Sequence, residues 1–279
     1  MSSYRIYNKC YKIYNKEKEM SKGQKVQVLV AAMNQTDHSL LKKMNIKTDT
    51  IVGNQCKRNC IERFRYNGHD ILYLNFNEKG VGLNRNNALM RATGDICLFA
   101  DDDMVYVDDY DKIVKSVFEK YFDADVIIFN LKESKQTRYI IRKVERVWYL
   151  NYLRYGTARI AVKLSKLRKN SIYFNQSFGG GTEHCHGEDS IFLTECLKAG
   201  LKIYAVPITI AELTEERKST WNAGYNKKYL QDQGALYKTI SRRGWKLLCL
   251  QDALRRSRRE YGMSLIKAYK IMIASGKNI

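Results

Sequence analysis

Three consecutive carboxylates, Asp101, Asp102 and Asp103, end the short apolar run GDICLFADDD. Neighbouring carboxylates repel one another by about 1 kcal/mol per close pair in water, and by more where water is excluded, so solvent or a cation must offset the cost of bringing them together. In an extended chain the first and third residues lie on one face. Asp101 and Asp103 could therefore bind one Mg²⁺ or Mn²⁺, which can in turn hold a diphosphate. Taken alone, the triplet also fits a solvated turn that caps the next helix.

Glu188 and Asp189 form a second acidic pair, which follows the glycine-rich loop FGGGTEHCHG. Adjacent carboxylates in a semi-buried cleft tend to have pKa values that split apart, so that one of the two can serve as a base. Acidic residues are also favoured in the first turn of a helix, which is the purely structural explanation of their position.

The segments around these acidic residues alternate between strand and helix patterns. Uninterrupted apolar runs, such as residues 26–33, are typical of strands buried on both faces. Strands are predicted at 26–33, 50–52, 61–66, 71–76, 126–129, 157–162 and 201–206, and in the run before Asp101. Helices are predicted at about 37–44, 83–93 and 109–121, from the acidic pair to about 199, and beyond 220. The alternation predicts an α/β fold, in which ligands bind beyond the carboxyl ends of the strands.

The charge of the chain is strongly positive. Its 279 residues contain 49 Lys and Arg against 29 Asp and Glu, a net charge of +20. Residues 136–170 and 234–279 each carry an excess of +9. Such a balance predicts an anionic partner, for which nucleic acid, a membrane surface and phosphorylated substrates are the candidates.

The seven cysteines show no paired metal-ribbon spacing, and their odd number predicts free thiols in a reducing cytoplasm. The first 25 residues are basic and lack the apolar segment of a secretory signal. No stretch approaches the roughly 18 apolar residues of a membrane-spanning helix. The expected location is therefore the cytoplasm.

Two stretches, GLNRNNALMRATGDICLFADDD and the later GEDSIFLTECLKAGLKIYAVP, together resemble a family 2 glycosyltransferase of the GT-A fold. The resemblance covers roughly residues 26–215, and the sequence Ser219-Thr220-Trp221 with its helical tail resembles enzymes of bacterial capsular and cell-surface polysaccharides. It implies a Rossmann-like mixed sheet flanked by helices, with a helical C-terminal extension. It also implies an inverting, metal-dependent enzyme that uses a nucleotide-sugar donor.

Three regions follow from this resemblance. They are a basic leader at 1–24, a catalytic domain at 25–215, and a basic helical region at 216–279. Within the catalytic domain, the donor half is expected at about 25–130 and the acceptor half at about 131–215.

The resemblance also assigns roles on the donor side. Asp101 and Asp103 match the metal-binding motif of the family, and Asp102 would face the ribose or the sugar. The family's signature before this strand falls on Asn84-Arg85-Asn86. Arg85 would then donate to phosphate or sugar oxygens, although a surface arginine on a helix is the structural alternative.

On the acceptor side, an inverting transfer requires a base that takes the proton of the attacking hydroxyl. Asp189 is the expected base. Glu188 would orient Asp189, bind an acceptor hydroxyl, or share a proton with Asp189.

The sequence departs from the family pattern after the first two strands. Asn34 ends AAMN where the family has Pro-Thr-Tyr-Asn, and Asn54 lies in GNQ where the family has an acidic pair that recognises the base. Because an amide can also bond a pyrimidine edge, both residues are expected at the donor. Uridine is the default base, and thymidine, guanosine and cytidine stay open.

Two further segments are expected near the site. Trp221 belongs either to a mobile segment that closes over donor or acceptor and excludes water, or to a buried anchor of the helical tail. His184, Cys185 and His186 lack a spaced partner and so make a poor zinc site. They predict an acceptor loop, in which the histidines are either exposed or in contact with the diphosphate or the acceptor.

The C-terminal region alternates apolar residues with arginines and lysines. Basic amphipathic helices lie on anionic membranes, which suits a polyprenyl-linked acceptor and a peripheral position on the inner face of the plasma membrane. A solvated face on helices packed against the catalytic domain is the alternative. A nucleic-acid-binding protein and a sugar nucleotidyltransferase are the rival functions, but no nucleic-acid motif and no glycine-rich arginine loop near the first strand is recognisable. We therefore expect a nucleotide-sugar donor, a glycan acceptor and no nucleic acid.

Overall fold

The computed structural model describes residues 23–135, 137–214 and 224–276, which are built around one ten-stranded sheet. Its strands are, in chain order, β1 (Val26–Met33), β2 (Asp49–Gln55), β3 (Cys60–Tyr66), β4 (His69–Phe76), β5 (Ile96–Asp101), β6 (Met104–Tyr106), β7 (Val126–Lys132), β8 (Glu145–Arg146), β9 (Ile160–Lys163) and β10 (Ile203–Leu213).

The helices cover both faces of this sheet and its C-terminal side. They are α1 (Ser39–Lys43), α2 (Val81–Arg91), α3 (Tyr110–Lys120), α4 (Leu164–Lys169), α5 (Glu188–Lys198), α6 (Lys227–Ile240), α7 (Trp245–Arg256) and α8 (Leu265–Gly276), with short 3₁₀ turns at Tyr152–Arg154 and Thr157–Arg159. Among the described residues, no helix is both long and apolar enough to cross a membrane.

The sheet is mixed, in the order β3-β4-β2-β1-β5-β9-β7-β10-β6, with β8 paired to β10. β1 runs parallel to both β2 and β5, whereas β9 runs antiparallel to β5 and β7. The expected α/β architecture is confirmed. Ala31 pairs with Asp101 across β1 and β5, and Met33 pairs with Gln55 across β1 and β2. The carboxyl ends of these three strands therefore meet at one edge of the sheet.

Alternating side chains of the central strands pack into two cores on opposite faces of the sheet. In β5, Cys97 and Phe99 belong to one core, while Ile96, Leu98 and Ala100 belong to the other. This division follows from the two-residue period of a strand. It also explains why these strands lack a polar face and read as continuous apolar runs.

Two predicted elements differ from the structure. β10 continues from Ile203 to Leu213, although it was predicted to close at Pro207. Its pairing with β7 shifts register between Ala205 and Thr209, and Pro207, which has no N–H to donate, fits such an irregularity. The predicted strand at 157–162 begins only at Ile160, because residues 157–159 form a 3₁₀ turn.

The three C-terminal helices pack on one another and share a hydrophobic core with one face of the sheet. Gly234 in α6 lies so close to α8 that a Cβ there would be 2.0 Å from the carbonyl oxygen of Met272. Leu236 of α6 contacts the loop before α5, where a Cβ on Gly187 would lie 2.9 Å from its Cδ1. These helices therefore form one wall of the region around Glu188 and Asp189.

Candidate active site

Arg85 lies at the centre of the site and joins three carboxylates that are distant in the sequence. Its Nη2 lies 2.8 Å from Asp101 Oδ1, while its Nη1 lies 3.1 Å from Glu188 Oε1 and 3.4 Å from Asp189 Oδ1. The Arg85 side chain is only 5% exposed. Burial alone would lower the pKa of Arg85, but the charges of Asp101, Asp189 and Glu188 raise it above its usual value. The arginine is therefore a permanent buried cation.

The residues on either side of Arg85 hold it in place. Asn84 donates from Nδ2 to the carbonyl oxygen of Gly53 in β2 (2.9 Å). Asn86 donates to the carbonyl oxygen of Phe174 and accepts from its N–H, at 2.9 and 2.8 Å. The Phe174 ring lies 5.4 Å from Arg85 Cζ. Because α2 is fixed to two separate segments, the guanidinium points at the carboxylates, and the alternative of a surface arginine is wrong.

Glu188 begins α5 and is enclosed by the glycine-rich loop. A Cβ on Gly179 would lie 2.8 Å from Glu188 Cδ, so the loop approaches as closely as only glycine allows. Burial, aided by the negative charge of Asp189, raises the pKa of Glu188 to about 7 against the opposing effect of Arg85. A carboxylate in this state holds or releases a proton near neutral pH.

Asp189 is more open, with 31% of its side chain exposed. Its Oδ1 accepts hydrogen bonds from the Thr157 hydroxyl and from Arg85. A Cβ on Gly156 would lie 3.3 Å from Oδ2. One oxygen of Asp189 is thus fixed, while the other faces the space beside Gly156.

The three aspartates do not share one environment. Asp102 accepts from the Met33 N–H (3.2 Å) and from Gln35 Nε2 (3.1 Å), which ties it to the end of β1. Asp103 is half-buried, and its Oδ1 is a buried atom with no hydrogen-bond partner among the described residues. Burial and the charges of Asp101 and Asp102 raise the pKa of Asp103 to about 6.

This environment tests whether the triplet suits a divalent cation. The donor set consists of hard carboxylate oxygens, which Mg²⁺ and Mn²⁺ prefer. A cation beside Asp103 would satisfy its orphaned Oδ1 and offset the repulsion from Asp101. The residues present therefore fit the expected metal.

A cavity of about 890 Å³ opens where β1, β2 and β5 end. Asp101, Asp102, Asp103, Arg85 and Glu188 all line it. A cleft of this size accommodates a nucleotide sugar. The structure thus brings together residues separated by about a hundred positions in the chain.

Asn54 does not have the place expected for a base-reading amide. It is fully buried, its Oδ1 accepts from the Gln35 N–H (3.0 Å), and its Nδ2 donates to the Gln35 carbonyl (2.9 Å) and to Asn75 Oδ1 (2.7 Å). The expectation that Asn54 binds the donor base is therefore wrong, because its amide is committed to internal bonds. Asn34 is an exposed turn residue with φ 54° and is not part of the cavity lining.

Sequence reasoning missed several residues that face the cavity or its neighbours. Gln55 lines it, donating from Nε2 to the Gly80 carbonyl at 3.0 Å. The strand period could have found it, because residue 55 lies on the opposite face to residue 54. Thr157 carried no local signal, since its contact with Asp189 spans 32 positions. Trp221 lies outside the described residues.

The loop before Glu188 docks onto α6. His184 Nδ1 lies 3.0 Å from Asp232 Oδ1, and His186 Nε2 lies 2.8 Å from Gln233 Oε1. The expectation of solvent-exposed histidines is therefore wrong. Cys185, His186 and Asp232 bring potential ligand atoms within 4.8 Å of one another, so Asp232 is the distant partner that the sequence pattern lacked. Asp232 already forms an ion pair with Lys228 Nζ at 2.6 Å.

The model of the family "Glycosyl transferase family 2" matches residues 38–195. This match includes Arg85, the aspartate triplet and the acidic pair. No curated protein matches the sequence significantly.

Among solved structures, the chain is similar to TarS of S. aureus. A crystal structure of TarS residues 1–349 in complex with UDP-GlcNAc matches with a TM-score of 0.60 and 14% identity, over 91% of this chain and 92% of that chain. A longer TarS structure matches with a TM-score of 0.57 and 16% identity, over 90% of this chain and 42% of that chain. These likenesses show the GT-A fold, a mixed sheet flanked by helices.

Replacing Arg85 with leucine is expected to remove the cation that three carboxylates share. Breaking a buried ion pair by removing one partner costs about 3–5 kcal/mol, so the free energy of unfolding should fall by this order at pH 8. Urea denaturation followed by circular dichroism measures it. Arg91→Leu, an exposed position on the same helix, is the control, and equal stability of the two variants at pH 8 would contradict the role of Arg85.

Glu188→Gln is expected to stabilise the protein at pH 8 and to change it little at pH 4.5. The pKa of Glu188 is about 7 in the folded protein against 4.5 as the ordinary value. Between pH 4.5 and pH 7 this glutamate is ionised in the unfolded chain but protonated in the folded protein. The free energy of unfolding therefore falls as pH rises, and the loss of stability is complete above pH 7. The gain at pH 8 should be about 3 kcal/mol, since one pKa unit corresponds to about 1.4 kcal/mol.

The same denaturation experiment at both pH values measures this difference. Glu195→Gln, an exposed position on α5, serves as the control. A Glu188→Gln variant that is equally destabilised at both pH values would show that Glu188 is ionised in the folded protein throughout this range.

Proposed function

The chain belongs to glycosyl transferase family 2, and we propose that this glycosyltransferase moves a sugar, with inversion, from a UDP-sugar to a hydroxyl of a lipid-linked or growing surface glycan. The observation that carries this proposal is the position of the acidic pair. Glu188 lines the cavity at the strand ends, whereas Asp189 lines a second, separate cavity of about 650 Å³. A donor and an acceptor can thus approach one reacting centre from two directions.

The larger cavity is the proposed donor site. It lies beyond the carboxyl ends of parallel strands, where α/β sheets bind their ligands. TarS, which has a similar fold, binds UDP-GlcNAc and UDP in its crystal structures. This supports uridine as the base, with Asp102 facing the ribose or the sugar. Gln55, and not Asn54, is the amide residue that lines this cavity.

Asp101 and Asp103 would hold Mn²⁺ or Mg²⁺. When bound, the cation supplies positive charge to the departing diphosphate. Asp103 offers its unpartnered Oδ1, while Asp101 uses one oxygen for Arg85 and keeps the other for the cation. Arg85 lines the same cavity and is the proposed donor of hydrogen bonds to phosphate or sugar oxygens. It also orients Asp101 and the acidic pair.

Asp189 is the proposed base. Its Oδ1 is held by Thr157 and Arg85, which leaves Oδ2 to accept the proton of the acceptor hydroxyl. That hydroxyl oxygen then attacks the anomeric carbon on the face opposite the diphosphate, which inverts the configuration. Arg85, 3.4 Å from Oδ1, holds the Asp189 carboxylate in position to accept this proton. Glu188 binds the same guanidinium and lines the donor cavity. Through Arg85 it helps to orient Asp189.

The C-terminal helices support the proposed position at an anionic membrane on the cytoplasmic side. Leu247 and Leu254 on α7 and Ile266 on α8 are 70%, 62% and 64% exposed. Arg258 and Arg259 lie just beyond α7 and are also exposed. Exposed apolar side chains flanked by cations are typical of helices that lie on anionic lipid. Such a surface would bring the enzyme to a polyprenyl-linked acceptor.

Asp189→Asn is expected to lower transfer by a factor of about 10²–10⁴, because general base catalysis contributes this much. Its affinity for UDP should stay near that of the wild type, since Asp189 lies outside the donor cavity. Isothermal titration with UDP and an assay of UDP release across a panel of nucleotide sugars measure the two effects. Glu195→Gln on the same helix should transfer normally.

Normal transfer by Asp189→Asn would contradict its role as base. If the wild type neither binds nor turns over any nucleotide sugar in the panel, with or without metal, the proposed donor chemistry is wrong.

Asp103→Asn is expected to weaken Mn²⁺ binding at least tenfold in the presence of UDP. The variant lacks one of the two proposed carboxylate ligands and keeps a side chain of the same shape. Electron paramagnetic resonance of free Mn²⁺ during a protein titration measures the affinity. Asp108→Asn, at an exposed carboxylate paired with Lys47, is the control. Equal Mn²⁺ affinity for wild type and Asp103→Asn would remove Asp103 from the metal site.

A further inference from the structure

The cavity on the Asp189 side has an unusual charge for a site that receives a glycan. Five arginines line it, against three carboxylates. The arginines come from three separate segments and are Arg138, Arg154, Arg159, Arg255 and Arg256. The carboxylates are Asp189, Asp252 and Glu260.

Not all of these arginines are neutralised by the protein. Arg256 pairs with Glu260 at 2.6 Å and lies 3.6 Å from Asp252, and Arg154 pairs with Glu145 at 2.8 Å. Arg255 is exposed and has no ion pair among the described residues. The uncompensated charge in the lining therefore lies at Arg255 of α7 and at Arg159.

The burial of Arg159 is the strongest evidence for uncompensated positive charge in this cavity. It is 2% exposed, and its Nη1 and Nη2 donate to the carbonyl oxygens of Tyr139 (2.9 Å) and Arg154 (3.2 Å). No carboxylate of the described residues lies within 4.0 Å of it. Burial and the nearby charge of Arg138 lower the pKa of Arg159 to about 10. A buried guanidinium without a counter-ion is costly, and an anion from outside would offset that cost.

A neutral sugar carries no charge that would require several arginines in its binding site. Guanidinium groups match phosphate oxygens through paired, charge-assisted hydrogen bonds. The cavity also carries tyrosines, including Tyr155 and Tyr229, whose rings suit the faces of sugars. The lining thus combines surfaces for a glycan with cations for a phosphate.

We propose that this cavity binds a phosphate ester carried by the acceptor, so that the acceptor is an anionic, phosphate-bearing glycan and not a neutral one. The proposal rests on the function proposed above, because Asp189 places the acceptor hydroxyl in this cavity. The phosphate can belong to the diphosphate of a lipid carrier or to a phosphodiester within the glycan chain. Both sources present the same chemistry to the arginines.

Binding is tested by calorimetry on the full chain, with the donor site saturated by UDP and Mn²⁺. The probes are a methyl glycoside, the same glycoside bearing a 6-phosphate, a phosphodiester-linked disaccharide and geranyl diphosphate. We expect at least tenfold tighter binding of the phosphorylated glycoside than of the neutral one, with an affinity that falls as salt rises. Tighter binding of geranyl diphosphate would support a lipid carrier as the source, and tighter binding of the phosphodiester would support the glycan chain.

The variant Arg255→Gln, at an exposed position, should weaken binding of the phosphorylated glycoside about tenfold without affecting the fold. Arg258→Gln, just beyond the same helix and outside the cavity lining, is the matched control and should change it less than twofold. Arg159→Met should lower the affinity further if the variant folds.

Equal affinity for the neutral and phosphorylated glycosides, or equal weakening by Arg255→Gln and Arg258→Gln, would overturn the inference. UDP affinity, measured separately, distinguishes this failure from failure of the proposed function. A protein that binds UDP and transfers sugar but ignores the phosphate would still be the proposed glycosyltransferase. Absence of UDP binding would remove the basis for both.

Discussion

The site depends on one buried arginine that neutralises carboxylates from two parts of the chain. Asp101 ends a central strand, while Glu188 and Asp189 begin a helix about a hundred residues later. Because all three carboxylates lie within 3.4 Å of one guanidinium, their negative charges are close enough to repel one another. Arg85 turns this repulsion into three ion pairs and thereby fixes the distance between the two halves of the site. The helix that carries Arg85 is in turn anchored by the amides on either side of it.

The sheet provides the frame in which this interaction is possible. Because β1, β2 and β5 are parallel and in register, their polar ends meet at one edge, and the glycine-rich loop can close against Glu188 there. The two cores on either face of the sheet keep the strands rigid, as a catalytic arrangement requires. Burial disfavours the charged form of an ionisable group. It raises the pKa of Glu188 and Asp103, whereas Arg85 stays charged because its partners are negative.

Much of the fold was accessible from the sequence, since the buried strands and the helix before Asp101 have local patterns. The acidic triplet and the acidic pair were also recognisable by type and spacing. The pairing of Arg85 with Glu188 and Asp189 was not recognisable, because ion pairs between residues 103 and 104 positions apart leave no local pattern in the sequence. Asn54 was misassigned for a similar reason. An asparagine looks the same in the sequence whether its amide is buried or faces a ligand. Only the hydrogen bonds of Asn54 to Gln35, seen in the structure, show that it is buried. The arginine-lined cavity combines segments around residues 138, 154–159 and 255, which no single stretch of sequence displays.

The two cavities are built largely from different parts of the chain. Of the described residues, only Arg138 lines both of them, and α6 and α7 contribute to the smaller cavity alone. Under the proposed function, donor and acceptor specificity would each be encoded by their own set of side chains, joined by the ion pairs of Arg85. The C-terminal helices are therefore a replaceable part in engineering terms. If the smaller cavity is the acceptor site as proposed, grafting different residues onto the inner faces of α6 and α7 offers a way to redirect the enzyme to new acceptors without altering the proposed donor site.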